Sequence, residues 1–166
     1  MKTLYLIRHA KAGWDQTELS DFERPLSDLG KTHAQAMAQA LKAQSGKADF
    51  IISSPAVRAL TTAEIFAEEF AYPAAKIITN QHIYTGGVEE LMEIIRAVKP
   101  SYKKVLFFGH NPSLTWLLHF LCEDAKMNIP TCGVVGIELG SRDWEHFVEA
   151  DGRVVTYLHP PAHETH

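Results

Sequence analysis

Apolar residues along this chain fall into two alternating rhythms. Short runs of mostly β-branched and large apolar residues, Thr3 to Arg8, Asp49 to Ser53, Lys76 to Thr79 and Lys103 to Gly109, read as strands. Between and after them, apolar residues recur three and four positions apart, the spacing that lines one face of a helix. The sets are Ala34, Met37, Ala38 and Leu41; Ala59, Ala63, Phe66, Ala67 and Phe70; Val88, Leu91, Met92 and Ile95; and Leu114, Leu117, Leu118 and Leu121. Four strand-to-helix units in succession predict an α/β fold, a three-layer α/β/α sandwich around a mostly parallel sheet.

Punctuation supports the same division. Ser27 before Asp28, Ser54 before Pro55 and Asn111 before Pro112 each place a capping side chain ahead of a first helical turn, and Pro100 closes the third helix. Past residue 130 the helical rhythm gives way to Gly-separated runs, Val134 to Leu139 and Arg153 to His159, expected to complete the sheet with an antiparallel member. The longest stretch without either rhythm is Ala10 to Leu26, a polar loop of a length that is usually functional.

Where the strands stop is more informative than the strands themselves. The first apolar run ends abruptly on Arg8 and His9. The second ends at Ser53-Ser54-Pro55 with Arg58 in the next helix, and the fourth ends on His110 at the mouth of another. Carboxyl ends of parallel strands open into one crevice, so these residues are expected to meet. Two arginines, two histidines and two helix N-termini at one point form an anion site, and phosphate suits it because guanidinium forks match its oxygens. A histidine there can also act as a covalent nucleophile. Neighbouring Arg8 and Arg58 should keep His9 neutral, and a backbone carbonyl in the loop after it should hold its other nitrogen. Singly, each of these residues has an ordinary reading as a strand end, a surface helix residue or a cap.

Composition bounds the rest. At 166 residues the chain is expected to form one domain over 1–160, with 161–166 as a flexible tail. A formal charge of -4 argues against nucleic acid as the main ligand. No run reaches signal-peptide or membrane-span length, so no membrane association and a cytoplasmic location are expected. Cys122 and Cys132 suit reduced, buried thiols. His163 and His166 fall in the tail, His33 and His119 inside helices, and His82 beside a possible substrate region. Lys11 and Trp14 are candidates for the pocket rim.

These motifs resemble a known family. Arg8-His9 after an apolar strand, Ser54-Pro55-x-x-Arg58-Ala59 with Thr62-Ala63, and Gly109-His110-Asn111-Pro112 are similar to the histidine phosphatase superfamily, the phosphoglycerate mutase-like fold, over about residues 2–159. Within it, RHAKAGWD, SDFERPLSDLGKTHA and the late GHNP resemble the SixA-type phosphohistidine phosphatase branch. The resemblance implies that His9 is the nucleophile that becomes phosphorylated, that Arg8 and Arg58 bind phosphate oxygens, and that His110 completes the pocket as a charged donor. It also implies substrate contacts from the backbone near Asn111. Lys11 at the rim would add to the positive potential, and because no carboxylate cluster of metal-ligand type accompanies the set, neither metal nor cofactor is expected.

Two departures bear on the chemistry. The usual Arg-His-Gly is Arg-His-Ala here, which still lets the backbone come close. Members acting on phosphomonoesters commonly carry an acid after the third strand, where this chain reads HIYTGGVEEL with no carboxyl before Glu89. Glu89, Glu90 and Glu93 lie off the apolar stripe of their helix; Asp15, Asp21 and Asp28 are further candidate acids. An alkoxide leaving group needs a proton in the transition state, whereas the imidazole of phosphohistidine can already carry one. The short chain leaves no room for an inserted lid, so the pocket should admit a side chain of another protein. The expected activity is therefore a metal-independent phosphatase acting on a phosphohistidine-bearing protein. The alternatives are hydrolysis of a small phosphorylated substrate using another acid, and a non-catalytic phosphate or phosphoprotein binder.

Overall fold

Along β1 (Thr3–Arg8), successive side chains enter two different cores. Leu4 and Leu6 join one cluster, Tyr5 and Ile7 the other, so the strand reads as continuously apolar because both of its faces are buried. The computed structural model describes residues 1–13, 19–140 and 143–161. After β1 come α1 (Asp28–Ser45), β2 (Phe50–Ser53), α2 (Val57–Glu69), β3 (Ile78–Thr79), α3 (Gln81–Thr85), α4 (Val88–Arg96), β4 (Lys104–Gly109), α5 (Ser113–Leu121), β5 (Val134–Leu139) and β6 (Gly152–Leu158). They form one six-stranded sheet in the order β3-β2-β4-β1-β5-β6. Helices α1 and α2 cover one face through Ala34, Ala38, Leu41, Ala63, Phe66 and Ala67. Helices α4 and α5 cover the other through Leu91, Ile95, Leu114 and Leu118, with Trp144 and Phe147 closing that core. The expected α/β/α sandwich is the observed one.

The sequence expectation needs three corrections. β3 was expected over Lys76 to Thr79 but is confined to Ile78–Thr79, because Pro73 opens a 3-10 turn over Ala74–Lys76 and the edge position offers only β2 as partner. The C-terminal pair adds two strands at the other edge: β5 lies antiparallel to β1, and β6 antiparallel to β5. α3 was not anticipated; five residues are too few for a helical rhythm, and its start is set by Asn80, whose side chain accepts from the His82 N–H at 2.9 Å.

Of the three expected caps, Ser27 behaves as expected, its Oγ accepting from the Gly30 N–H at 3.0 Å. Ser54 Oγ accepts from Ala56 N–H, one residue ahead of α2. Asn111 Oδ1 accepts from both N–H and Oγ1–H of Thr115, bracing the first turn of α5. Both cysteines are buried and free, and burial pushes their thiols up to about 11 for Cys122 and about 12 for Cys132. No helix among the described residues is long and apolar enough to cross a membrane.

The start of α1 also fixes the loop that follows β1. A Cβ added at Gly30 would sit 2.1 Å from the Lys11 carbonyl oxygen, so helix and loop meet backbone to backbone. On helix propensity alone Gly30→Ala should stabilise by up to about 1 kcal/mol. The collision reverses this: the expected result is a loss of about 1–3 kcal/mol, a fall of several degrees in the thermal midpoint, and an unchanged or higher midpoint would contradict the close approach.

Candidate active site

The three central strands end in one line. Arg8 lies opposite Gly109 across the β1–β4 pair, and Ser53 lies opposite Phe108 across β2–β4, so the residues that follow, His9, Ser54 and His110, emerge side by side. The main chain of His9 is tied on both sides: its N–H donates to Gly109 O at 3.2 Å, and its carbonyl accepts from Cys132 N–H at 3.0 Å. Two helices begin at this edge, α2 carrying Arg58 in its first turn and α5 starting just past His110. Thr62, completely buried one turn further along α2, donates to Arg58 O at 2.7 Å and accepts from Ala10 N–H at 3.0 Å, coupling that helix to the chain just after His9.

A pocket of about 380 Å³ opens here, lined by Arg8, His9, Lys11, Ala12, Arg24, Arg58, His110, Asn111 and Thr131. Arg8, His9, Lys11, Arg58, His110 and Asn111, the residues expected to bind phosphate or substrate, line one cavity. The rings of His9 and His110 stand 5.1 Å apart. His9 is only 9% exposed and Arg58 7%. Arg8 donates from Nη1 to Ile129 O at 3.1 Å, and its Nε is buried without a partner among the described residues, as is Nδ1 of His110.

The protonation of His9 follows from one contact. Its Nδ1 lies 2.8 Å from the carbonyl oxygen of Ala10, which can only accept. Nδ1 therefore carries the hydrogen, and Nε2 keeps its lone pair. Burial, the largest cause, pushes His9 down to about 3; the Ala10 carbonyl pulls the other way, and His110, Arg58 and Arg8 add to the depression. The sequence argument placed the arginines first, whereas loss of hydration contributes more than they do. His110 is pushed down to about 4, again by burial first and by Arg58 next, with Asp21 opposing. Burial thus favours the neutral imidazole at His110, whose Nε2 lies 2.7 Å from Ser54 Oγ.

Sequence reasoning named Asp21 only as a candidate acid and missed its contacts, together with Tyr84, Arg24 and Thr131. Asp21, one of the candidate acids, comes from a 3-10 turn (Asp21–Glu23) in the long loop, and its carboxylate reaches Arg58 at 3.0 Å and Tyr84 Oη at 2.7 Å. Tyr84 in α3 lays its ring against His110 at 5.4 Å, edge to face. Arg24 and Thr131 also line the cavity, and nothing in their local sequence marks them. Asn111 is present, but its side chain is committed: Nδ2 donates to Ile129 O at 2.8 Å while Oδ1 serves Thr115. Glu89 and Glu93 are exposed on α4, and Glu90 accepts from Gly87 N–H at its start. Asp28, in the first turn of α1, and His82, on α3, are exposed, and His119 contacts Met127 O. His33 is buried in α1. Trp14, Asp15, His163 and His166 lie outside the described residues.

Two neutral buried histidines make stability depend on pH. Below about 6.5 an unfolded chain takes up protons at these imidazoles that the folded chain refuses until about 4 for His110 and about 3 for His9. Their contribution is complete above pH 6.5 and is lost as pH falls through those folded values. Urea unfolding followed from pH 7.5 to 3.5 should show stability falling across that window. In a His9→Gln, His110→Gln double variant the decline should be shallower; an identical slope would mean that neither imidazole is held neutral.

Comparison with known proteins bears on this geometry. Residues 4–107 match the family model described as Histidine phosphatase superfamily (branch 1). An uncharacterized chloroplastic protein of Arabidopsis thaliana is 26% identical over 159 residues, covering 91% of this chain and 72% of that one. Among solved structures, a SixA from Agrobacterium tumefaciens superposes with a TM-score of 0.80 at 24% identity, covering 96% of this chain and 99% of that one. The protein histidine phosphatase SixA complexed with tungstate gives 0.81 at 22% identity, covering 95% and 96%. A mycobacterial glucosyl-3-phosphoglycerate phosphatase complexed with VO3 gives 0.71 at 13% identity, covering 96% and 100%. These structures share the fold, and the match to the family model over residues 4–107 shows that the chain belongs to branch 1 of the histidine phosphatase superfamily.

Proposed function

We propose that the protein is a phosphatase that works through a phosphohistidine at His9 and removes phosphate from phosphohistidine on another protein. The observation that carries this reading is the Nδ1 to Ala10 O hydrogen bond, which leaves Nε2 as the unprotonated nitrogen of a ring lining a cationic pocket. Nε2 attacks phosphorus as the substrate's P–N bond breaks. The leaving imidazole, protonated beforehand on its other nitrogen, departs neutral and takes no proton from the protein. His9 becomes a cationic N-phosphoryl imidazole whose Nδ1–H the Ala10 carbonyl continues to accept. Water then attacks phosphorus, the P–Nε2 bond breaks, and His9 returns neutral while the water's proton passes to solvent.

Arg8 and Arg58 bind the phosphoryl oxygens, and His110 donates from the side. Lys11 raises the positive potential of the rim. Fixed cations of this kind do most of the work in phosphoryl transfer, where the transition state spreads charge over three oxygens. The neighbour described as a protein histidine phosphatase supports the substrate class. Ester hydrolysis, the activity named for the mycobacterial neighbour, is the second reading, and the Asp21 carboxyl beside Arg58 is what favours it. Retention of His9 counts against a non-catalytic binder.

The test is phosphate release, in EDTA, from a phosphohistidine peptide, a phosphoserine peptide and p-nitrophenyl phosphate. The phosphohistidine peptide should be turned over fastest. His9→Ala should lower that rate about a thousandfold or more, and Arg58→Ala about 10²- to 10³-fold. Radiolabel from substrate should be trapped as an acid-labile, base-stable adduct absent from His9→Ala. Ester hydrolysis equal to or faster than phosphohistidine hydrolysis would overturn the substrate assignment, and trapped label surviving in His9→Ala would overturn the nucleophile.

A further inference from the structure

In each of its described side-chain contacts the Asp21 carboxylate is an acceptor. Asp21 Oδ2 accepts from Arg58 Nη2 at 3.0 Å and from Tyr84 Oη at 2.7 Å, and Oδ1 accepts from Arg24 Nη1 at 3.2 Å. Its main-chain carbonyl accepts from Arg58 Nη1 at 2.7 Å. Three donors therefore converge on two carboxylate oxygens, and each of them favours the ionised carboxylate that accepts from it. The hydrogen bonds from Tyr84, Arg58 and Arg24 accordingly hold the Asp21 carboxyl below the usual carboxylate range against a smaller opposing effect of burial.

Arg58 is the other half of the arrangement. Its guanidinium is almost fully buried, and both terminal nitrogens are engaged by one residue 37 positions earlier in the chain, once through the side chain and once through the main chain. A long, rotamer-rich side chain held at two points keeps one pose, and its remaining N–H groups are set before substrate arrives. The adjacent rings brace the same wall: Phe22 packs edge-on against Tyr84 at 5.2 Å, and Tyr84 against His110.

We infer that Asp21 is the positioning residue of Arg58 and not the proton donor of the site. The inference rests on the phosphatase reading above for its proton-donor half; the positioning half stands on the hydrogen bonds alone.

Both halves are tested by Asp21→Asn, which keeps the size of the side chain but turns an NH2 group toward one of the three donors. Against the phosphohistidine peptide, p-nitrophenyl phosphate and the phosphoserine peptide, the variant should lose kcat/KM by one common factor, about 3- to 30-fold, expressed mostly in KM, with the limbs of the pH profile unmoved. Tyr84→Phe, which removes one donor and leaves Arg58 clamped, should show the same pattern more weakly. A loss that grows with the basicity of the leaving group, smallest for phosphohistidine and largest for phosphoserine, or a displaced pH limb, would make Asp21 the acid and overturn the inference.

A second readout does not depend on turnover. Calorimetric titration of wild type and Asp21→Asn with inorganic phosphate should show affinity weakened about 3- to 10-fold in the variant, with both proteins matched in circular dichroism and thermal midpoint. Equal or tighter phosphate binding would overturn the positioning role. If the wild type turned over none of the three substrates, the phosphatase reading and the proton-donor half of the inference would fall, and the titration would still decide the positioning half.

Discussion

Arg8 sits directly across from Gly109 in the pairing of β1 with β4, and from this register the rest of the site follows. Slipping either strand by one residue would turn every side chain of that strand to the opposite face, exchanging the two cores and pointing Arg8 into one of them. Because four apolar residues of β1 are completely or almost completely buried, that exchange is prohibitive, and the first polar residues after the run are forced out together at the sheet's carboxyl edge. His9 and His110 stand 5.1 Å apart because two apolar strands end level with one another.

The same edge solves an electrostatic difficulty. Several cationic side chains face one cavity, and bringing like charges together out of water is unfavourable unless something compensates. Among the described contacts, Arg8 rests on the Ile129 carbonyl, and Arg58 on the Asp21 carbonyl and carboxylate. Carbonyl dipoles orient a guanidinium without neutralising it, so much of the positive field is left for a ligand. The two imidazoles contribute no further charge, since burial keeps both neutral. The result is a cavity whose positive potential comes from arginine and lysine, with His9 free to act as a nucleophile.

Strands, the four long helices and the convergence of Arg8, His9, Arg58 and His110 were legible in the sequence because each is written in local periodicity or at the boundary of a run. What escaped was not local. β3 shrank because an edge strand with one partner is set by tertiary context. α3 carries too few residues for a rhythm. The Asp21 and Tyr84 contacts join a loop turn to a short helix 63 positions away, a pairing that no spacing rule encodes. The family resemblance implied a charged donor at His110, and no local pattern in the sequence speaks to its protonation. Its neutral state depends on burial, which only packing reveals.

The long loop after His9 is pinned at its base. Ala12 and Leu26 form an isolated antiparallel bridge, Gly13 N–H donates to Pro25 O at 2.9 Å, and Ser27 N–H donates to Lys11 O at 2.9 Å. Asp21, Phe22 and Arg24 lie between these anchors, and Asp21 and Phe22 reach back to Arg58 and Tyr84, so the described far side of the loop is fastened to the pocket wall as well. A substitution among these residues reaches the cavity through Arg58, while the His9 imidazole keeps main-chain ties that belong to the sheet. In this architecture the loop governs how the arginine wall is held, and the sheet governs where the imidazole stands.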